Sequence, residues 1–178
     1  MSRSHFSVIV NVLILLVFVS CAGNKNRENG SINDSKLLEE SLVKANKQAV
    51  KAENEQIENF IKRYSWQMVE TGSGLRYNIY FSGTGEKAQA GKIAVLKYST
   101  RLITGDIVYS SDIDGLKEFM IGRGGVESGL EEGILLLRVG DRAKFIIPSH
   151  LGFGLLGDQD KVPPKSTLIY DIELVSLN

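Results

Sequence analysis

The sequence predicts an α+β protein: a long helix followed by a domain of antiparallel strands with one short helix among them. Residues 35–68 contain neither proline nor glycine and are rich in Glu, Lys, Gln, Ala and Leu, which favour helix. From residue 75 the apolar residues recur with a period of two, as in half-buried strands. An apolar run near the N-terminus marks a leader that precedes both parts.

The composition narrows the possible chemistry. The 178 residues include 21 basic and 21 acidic side chains, so the formal net charge is zero and binding to nucleic acid is not expected. The chain has one cysteine, Cys21, and two histidines, His5 and His150. So few such side chains argue against metal sites and against Ser–His or Cys–His catalysis. We therefore expect no metal and no cofactor.

The N-terminus reads as a secretory signal over residues 1–20. It has a basic start at Arg3, an apolar stretch over residues 8–19 and small Ser20 before Cys21. The stretch is shorter than the ~20 residues that span a bilayer. Its position before Cys21 resembles a bacterial lipobox, which predicts a lipidated Cys21 and a membrane anchor. The alternative is an ordinary signal with an incidental cysteine.

The residues after Cys21 predict a tether and then a stalk. Residues 21–34 are polar and are interpreted as a flexible tether from the lipidated cysteine. Residues 35–70 are predicted to form a helical stalk, with Ser35 as its N-cap and the sequence TGSG after it. A thin stripe of small residues on this helix suits either a solvated spacer or a coiled-coil seam for a homodimer. A thicker apolar stripe near residues 57–64 predicts packing on the domain that follows.

Six segments have the pattern of strands, and one segment between them has the pattern of a helix. The helical segment places Val126, Leu130, Ile134 and Leu137 at three- and four-residue steps, yet it contains two glycines. Each glycine costs a helix interior about 1 kcal/mol relative to alanine. Glu131 and Glu132 are adjacent and are expected on a solvated face. The predicted strands are residues 75–81, 92–103, 107–110, 117–121, 143–148 and 167–177.

Four linked motifs resemble one known family. The segments VESGLEEGILLLRVGDRAKFIIP, LGFG and VPPKSTLIYDIELVSL, with YSTRLITGDIVYSS upstream, are similar to an FKBP-type peptidyl-prolyl cis-trans isomerase from about Gly91 to the end. The resemblance implies a curved antiparallel sheet wrapped around one short helix, in a domain of residues 75–178. In such a fold Gly129 and Gly133 would let the helix approach the sheet closely, with Leu130 as the floor of a pocket.

The resemblance also implies site residues, carried over position by position. The implied catalytic residues are Tyr98, Tyr109, Phe153 and Tyr170. The implied substrate-binding residues are Val108, Val126, Glu127 and Leu130, and plain core packing is the alternative for each.

Several of these positions depart from the family pattern. The usual FDSS is VYSS here, so Val108 replaces an aromatic wall and Tyr109 replaces a carboxylate. Phe153 replaces the tyrosine of the YG turn, and Glu127 stands where an aliphatic residue is usual. Asp112 or Asp114 is a candidate to supply the missing carboxylate.

The sequence therefore predicts a prolyl isomerase or folding helper for exported proteins, bound to proline-containing polypeptides and held in the cell envelope by a lipid anchor. Its location would be periplasmic or outer-membrane-associated. The reaction would need an apolar, dry site rather than a nucleophile. The alternative is a catalytically weak or inactive binding module of an envelope machine, similar to the FKBP-like lipoproteins associated with gliding motility.

Overall fold

The computed structural model describes residues 26–178, with side chains described from residue 35. The predicted signal (residues 1–20) and Cys21 lie outside the described residues. The chain divides into two compact units, Met1–Gln48 and Ala49–Asn178. Helix α1, Asn26–Tyr64, contributes residues to both units. The second unit contains every other helix and strand described below.

Helix α1 differs at both ends from the predicted stalk. It has already begun at Asn26, so residues 26–34 are helical where a tether was expected, and Ser35 lies inside the helix rather than at its N-cap. No proline interrupts these residues, and Gly30 is tolerated at about 1 kcal/mol. The helix ends at Tyr64 rather than near Met68, because Ser65 adopts a left-handed φ of 52°. The Trp66 N–H then donates to the Ile61 carbonyl (3.1 Å), which closes the helix end.

The predicted strands are confirmed to within about a residue or two at each end. Three short elements were not predicted: the first strand, a one-turn helix and a 3₁₀ helix. The strands are β1 (Val69–Glu70), β2 (Arg76–Phe81), β3 (Ile93–Leu102), β4 (Ile107–Ser110), β5 (Lys117–Met120), β6 (Arg142–Ile147) and β7 (Leu168–Leu177). The helices after α1 are α2 (Ser111–Asp114), α3 (Ser128–Ile134) and the 3₁₀ helix Ser149–Leu151.

The seven strands form one antiparallel sheet in the order β1-β2-β6-β7-β3-β4, and β5 also pairs with β3. Strand β3 pairs with β7 along one edge and with β5 and then β4 along the other. The register shifts in three ladders, β2–β6, β3–β4 and β3–β7. Such bulges add twist and bend to a sheet. The sheet is therefore curved, as the resemblance predicts.

The two faces of the sheet are covered by different helices. On the inner face, Phe145 and Tyr170 pack with Leu130 of α3 in the main core, and all three are almost fully buried. On the outer face, Ile57 of α1 is fully buried against β6 and β7 in a second, smaller core. The alternation of side chains along each strand sends neighbouring residues to opposite cores. The thicker apolar stripe of α1 thus packs on the sheet domain, as the sequence predicts.

In the earlier part of α1, by contrast, apolar side chains are exposed to solvent. Leu38 and Leu42 are 60% and 57% exposed. Among the residues that the structure describes, no helix is long and apolar enough to cross a membrane.

Candidate active site

The structure brings the eight predicted site residues together at the inner core. Tyr98 lies on β3, Tyr109 on β4, Leu130 on α3 and Tyr170 on β7. Tyr98, Val108, Leu130 and Tyr170 are buried members of this core, and Tyr109, Val126 and Phe153 pack against it half-buried. Glu127 joins the group by accepting a hydrogen bond from the Tyr170 hydroxyl. We call these eight residues the pocket cluster.

Tyr98 and Tyr170 are the two buried aromatic rings of the pocket cluster. They occupy inward-facing positions of β3 and β7, and their ring centroids are 6.4 Å apart. Burial, and then the charges of Asp114 and Glu127, raise the pKa of Tyr98 above its ordinary value. Burial, followed by the charge and hydrogen bond of Glu127, raises the pKa of Tyr170 well above 10.0. Both phenols are therefore neutral at physiological pH and can donate hydrogen bonds.

Glu127 places a carboxylate where the family pattern has an aliphatic side chain. It is only 7% exposed, and its Oε1 accepts a 2.6 Å hydrogen bond from the Tyr170 hydroxyl. Its Oε2 is buried without a hydrogen-bond partner in the described structure. Burial of such an oxygen costs free energy unless a partner is supplied. Glu127 also precedes α3 as its N-cap, and its carbonyl accepts from the N–H groups of Leu130 and Glu131.

Close packing explains the two glycines of α3. A Cβ atom at Gly129 would lie 2.6 Å from Ile147 Cγ2, and one at Gly133 would lie 2.5 Å from Phe145 Cε2. Both distances are shorter than real Cβ contacts, so only glycine lets α3 sit this close to β6. Leu130, from the same helix, is fully buried in the core that contains Tyr98 and Tyr170. The expected close approach of α3 to the sheet is therefore confirmed.

The two glutamates of α3 are half-exposed, and both also form hydrogen bonds that the sequence analysis did not predict. Glu131 accepts hydrogen bonds from the N–H groups of Gly122 (2.6 Å) and Gly124 (3.3 Å). Glu132 accepts one from Ser73 (2.7 Å). Each carboxylate thus links α3 to a neighbouring loop. The sequence spacing alone could not indicate these bonds, because the partners are distant along the chain or lie in an irregular turn.

The carboxylate that approaches Tyr109 is Asp158, not Asp112 or Asp114. The Tyr109 hydroxyl donates a hydrogen bond to Asp158. Asp112 pairs instead with Lys97 (4.0 Å), and Asp114 accepts from the Ser110 N–H (2.9 Å). Asp112 and Asp114 thus have other partners, and the carboxylate beside Tyr109 is one that the sequence analysis did not name. A turn-forming Asp just before the VPP motif was the signal that could have suggested Asp158.

The Tyr109–Asp158 contact joins β4 to the loop before β7. Partial burial opposes ionisation of Asp158, but hydrogen bonds from Tyr109 and from the N–H groups of Asp160 and Val162 outweigh it, so its pKa is lowered. The hydrogen bond to Asp158, and then burial, raises the pKa of Tyr109 well above its ordinary value. Lys161 lies over the Tyr109 ring, 4.7 Å from its centroid. Tyr109 is thus a neutral donor that closes one side of the pocket cluster.

Phe153 lies in a short turn after β6, residues 148–154, which we call the pocket turn. The N–H groups of Gly152 and Gly154 donate to the carbonyls of Pro148 (3.1 Å) and Ser149 (2.8 Å). Gly154 has a left-handed φ of 62°, which glycine adopts without strain. These bonds hold Phe153 half-buried against the core, at the edge of the pocket cluster.

Lys117 on β5 is a pocket neighbour that the sequence reading did not single out. Its Nζ lies 5.3 Å from the centroid of the Tyr98 ring, in cation–π geometry. The pocket cluster therefore combines apolar walls with a buried carboxylate and a nearby ammonium group. Among the described residues, no group of three or more His, Cys, Asp and Glu side chains is placed to hold a metal ion.

A curved antiparallel sheet thus wraps around the short helix α3, and two tyrosines and aliphatic side chains pack with that helix in the inner core. The sequence model of the family described as FKBP-type peptidyl-prolyl cis-trans isomerase matches residues 84–175. The chain belongs to this family.

Relatives agree with this assignment. The probable FKBP-type peptidyl-prolyl cis-trans isomerase FkpA of Neisseria meningitidis is 35% identical over 148 residues, which cover 80% of this chain and 54% of that protein. The chain thus spans about half the length of that relative. FK506-binding protein 2 of Dictyostelium discoideum is 41% identical over 93 residues, covering 52% of this chain and 70% of that protein.

Solved structures show the same fold. The crystal structure of AtFKBP13 superposes with a TM-score of 0.60 at 29% identity, covering 63% of this chain and 99% of that chain. The crystal structure of FkpA from Escherichia coli superposes with a TM-score of 0.63 at 24% identity, covering 100% of this chain and 84% of that one. The second likeness is one of fold alone.

Proposed function

We propose that this protein catalyses cis–trans isomerisation of Xaa-Pro bonds in polypeptides bound at the pocket cluster. The observation that supports this most directly is the convergence of the eight site residues on one core, with aromatic side chains from β3, β4 and β7 around Leu130 of α3. Apolar walls of this kind suit a proline ring. Membership of the isomerase family supports the same reaction.

The reaction needs little from the protein beyond a suitable environment. Rotation about the peptide bond has a barrier of about 18–20 kcal/mol, because the planar amide is stabilised by charge-separated resonance. A dry, apolar site disfavours that charge separation and so favours the twisted state. We assign the walls to Tyr98, Tyr170 and Phe153 and the floor to Leu130. The backbone N–H of Glu127 is proposed to donate to a substrate carbonyl.

A non-catalytic binding module is the second candidate function. It is favoured by Tyr109, which stands where the family pattern has a carboxylate. The Tyr109 hydroxyl already donates a hydrogen bond to Asp158. Phe153 also lacks the phenol of the usual turn. Such a domain would hold a proline-containing segment of a partner without accelerating its rotation. In that case it would act as part of a cell-envelope machine, similar to the FKBP-like lipoproteins associated with gliding motility.

The clients and location are further parts of the proposal. The signal pattern of residues 1–20 and the lipobox-like position of Cys21 support export and lipid anchoring in the cell envelope. The natural clients would then be exported proteins with exposed prolines. A homodimer formed through the stalk is a further part of the proposal, and it is supported by the exposed Leu38 and Leu42 of α1.

The test is NMR exchange spectroscopy on proline tetrapeptides with the chain from residue 22, using matched Phe→Ala variants. Phe153→Ala removes a half-buried ring from the pocket cluster, whereas Phe81→Ala removes a ring that is 56% exposed on β2. We expect wild-type catalysis, a loss of kcat/KM of about tenfold or more in Phe153→Ala because the proline loses a wall, and no change in Phe81→Ala.

The same assay separates the two candidate functions through Tyr109→Asp. A silent wild type that binds peptides, with activity restored in Tyr109→Asp, would establish the binding module. A wild type that neither catalyses nor shifts its pocket resonances on addition of peptide would overturn both proposals.

A further inference from the structure

The pocket turn is held by a side chain from a distant part of the chain. Glu53 lies on α1, outside the segment that matches the family model. Its Oε1 accepts from the Ser149 N–H (2.7 Å), and its Oε2 accepts from the Ser149 hydroxyl (2.9 Å). Oε1 also accepts from the Thr167 hydroxyl (2.7 Å). Both oxygens of this half-buried carboxylate are therefore occupied.

These contacts lie at the start of two segments that form the pocket cluster. Ser149 opens the pocket turn, four residues before Phe153. Thr167 is 3% exposed and directly precedes β7, which carries Tyr170. The Glu53 carboxylate thus links the start of the pocket turn to the residue that precedes β7. Hydrogen bonds to an ionised acceptor are roughly twice as strong as neutral ones.

Two other elements hold the next two residues of the pocket turn. The Nε2 atom of His150 lies 3.1 Å from the Ser73 carbonyl in the loop between β1 and β2. The Ser128 hydroxyl of α3 donates to the Leu151 carbonyl (3.2 Å). Three consecutive residues are therefore held by three different parts of the chain, and Glu53 is the acidic group among these contacts.

The docking of α1 on the sheet does not depend on Glu53. Ile57 is fully buried in the outer core. The buried guanidinium of Arg76 pairs with Glu58 and with Glu70, each at 3.1 Å, and also bonds Asn54. Loss of Glu53 would therefore leave the helix in place and release only the turn. Glu58 supplies a matched control, because it anchors the same helix without touching the turn.

We infer that Glu53 is a positioning residue, which sets the pocket turn so that Phe153 faces a bound proline. The inference rests on the proposed function. Loops open at lower free-energy cost than the core elements they join. A misplacement of about 1 Å in a binding group can reduce a rate by two orders of magnitude. The last turns of α1 would then contribute to substrate binding as well as cover the sheet.

The test compares Glu53→Gln with Glu58→Gln in the chain from residue 22. Gln retains the size of Glu but loses one acceptor oxygen and the charge. We expect Glu53→Gln to raise KM and to lower kcat/KM about tenfold, and to speed hydrogen exchange at Gly152 and Gly154 about tenfold. Glu58→Gln should lower stability but leave KM, kcat/KM and exchange in the turn within twofold of wild type.

A second variant keeps the test decisive if Glu53→Gln folds poorly. Ser149→Ala leaves α1 unchanged and removes one of the three hydrogen bonds, so on its own it should raise KM and speed hydrogen exchange at Gly152 and Gly154, whereas no change in either would contradict the inference. Equal values for Glu53→Gln and Glu58→Gln, in both KM and turn exchange, would overturn the inference. If the wild type does not catalyse, peptide affinity and turn exchange still decide the role of Glu53, so the two proposals fail separately.

Discussion

At the scale of single residues, two tyrosine hydroxyls of the pocket cluster are each paired with a carboxylate. The Tyr109 hydroxyl donates a hydrogen bond to Asp158, and the Tyr170 hydroxyl donates one to Glu127. Each pair couples a strand to an irregular segment, so each hydrogen bond orders part of the pocket wall. Two of the residues that depart from the family pattern, Tyr109 and Glu127, thus take part in these hydrogen bonds. Tyr109 is a structural donor in this chain, whatever it contributes to catalysis.

Tyr109→Phe tests this pairing through stability and its pH dependence. The variant loses a hydrogen bond to a charged acceptor, which we expect to lower the free energy of unfolding by about 1 kcal/mol at pH 7. The folded pKa of Asp158 is lowered from 3.8, so its contribution is complete above pH 3.8 and is lost as pH falls through the folded value.

The difference between wild type and Tyr109→Phe should therefore shrink in urea titrations below pH 3.8. Tyr64→Phe is the control, since the Tyr64 ring is 55% exposed and packs beside Phe60 and Trp66 without an aspartate partner of this kind. A gap between wild type and Tyr109→Phe that stays constant down to pH 2 would contradict the assignment.

At the scale of elements, the sequence predicted those helices and strands whose apolar residues recur periodically. The period of two located β2 to β7 because side chains alternate between the inner and outer cores. The ends of α1 were misjudged, since a polar helix start and a left-handed serine leave little signal in sequence. Strand β1 and helix α2 were missed because two and four residues are too short for a periodic pattern.

The glycines of α3 provide a prediction at this scale. Gly133→Ala should gain about 1 kcal/mol of helix propensity. The added Cβ would meet the Phe145 ring at 2.5 Å, and overpacking of a core costs typically 1–3 kcal/mol. We expect a net loss of stability of about 1 kcal/mol in urea unfolding. Gly72→Ala is the control, because nothing lies within 4 Å of its Cβ position. A Gly133→Ala variant as stable as wild type would show that the helix can move off the sheet freely.

At the scale of the whole molecule, the sheet is covered on both faces, and the outer cover comes from a helix that the family match does not include. The sequence predicted an apolar stripe on α1 but could not identify its partners, Ile146 and Ile169, because that contact forms only when the chain folds. The same applies to the site. The eight residues that the resemblance implies lie together at the inner core, whereas Asp158 and Glu53 were missed, since each acts through a partner far away in sequence.

The coupling of α1 to the sheet predicts that the two unfold together. Ile57→Ala removes a fully buried side chain from the outer core and should lower the free energy of unfolding by about 2–5 kcal/mol. Leu42→Ala, at a position 57% exposed in the first unit, should change it by less than about 0.5 kcal/mol. Trp66 is the single tryptophan and packs on Phe60 at the end of α1, so its fluorescence reports release of the helix.

Amide resonances of β7 report the sheet in the same urea series. Coincident transitions, shifted together by Ile57→Ala, would show that residues 49–178 fold as one cooperative unit. Loss of the Trp66 signal at lower urea than the β7 signals would instead mean that α1 detaches first. The hydrogen bonds of Glu53 to the pocket turn would then be lost while the sheet stays folded. Helix α1 would in that case unfold independently of the sheet.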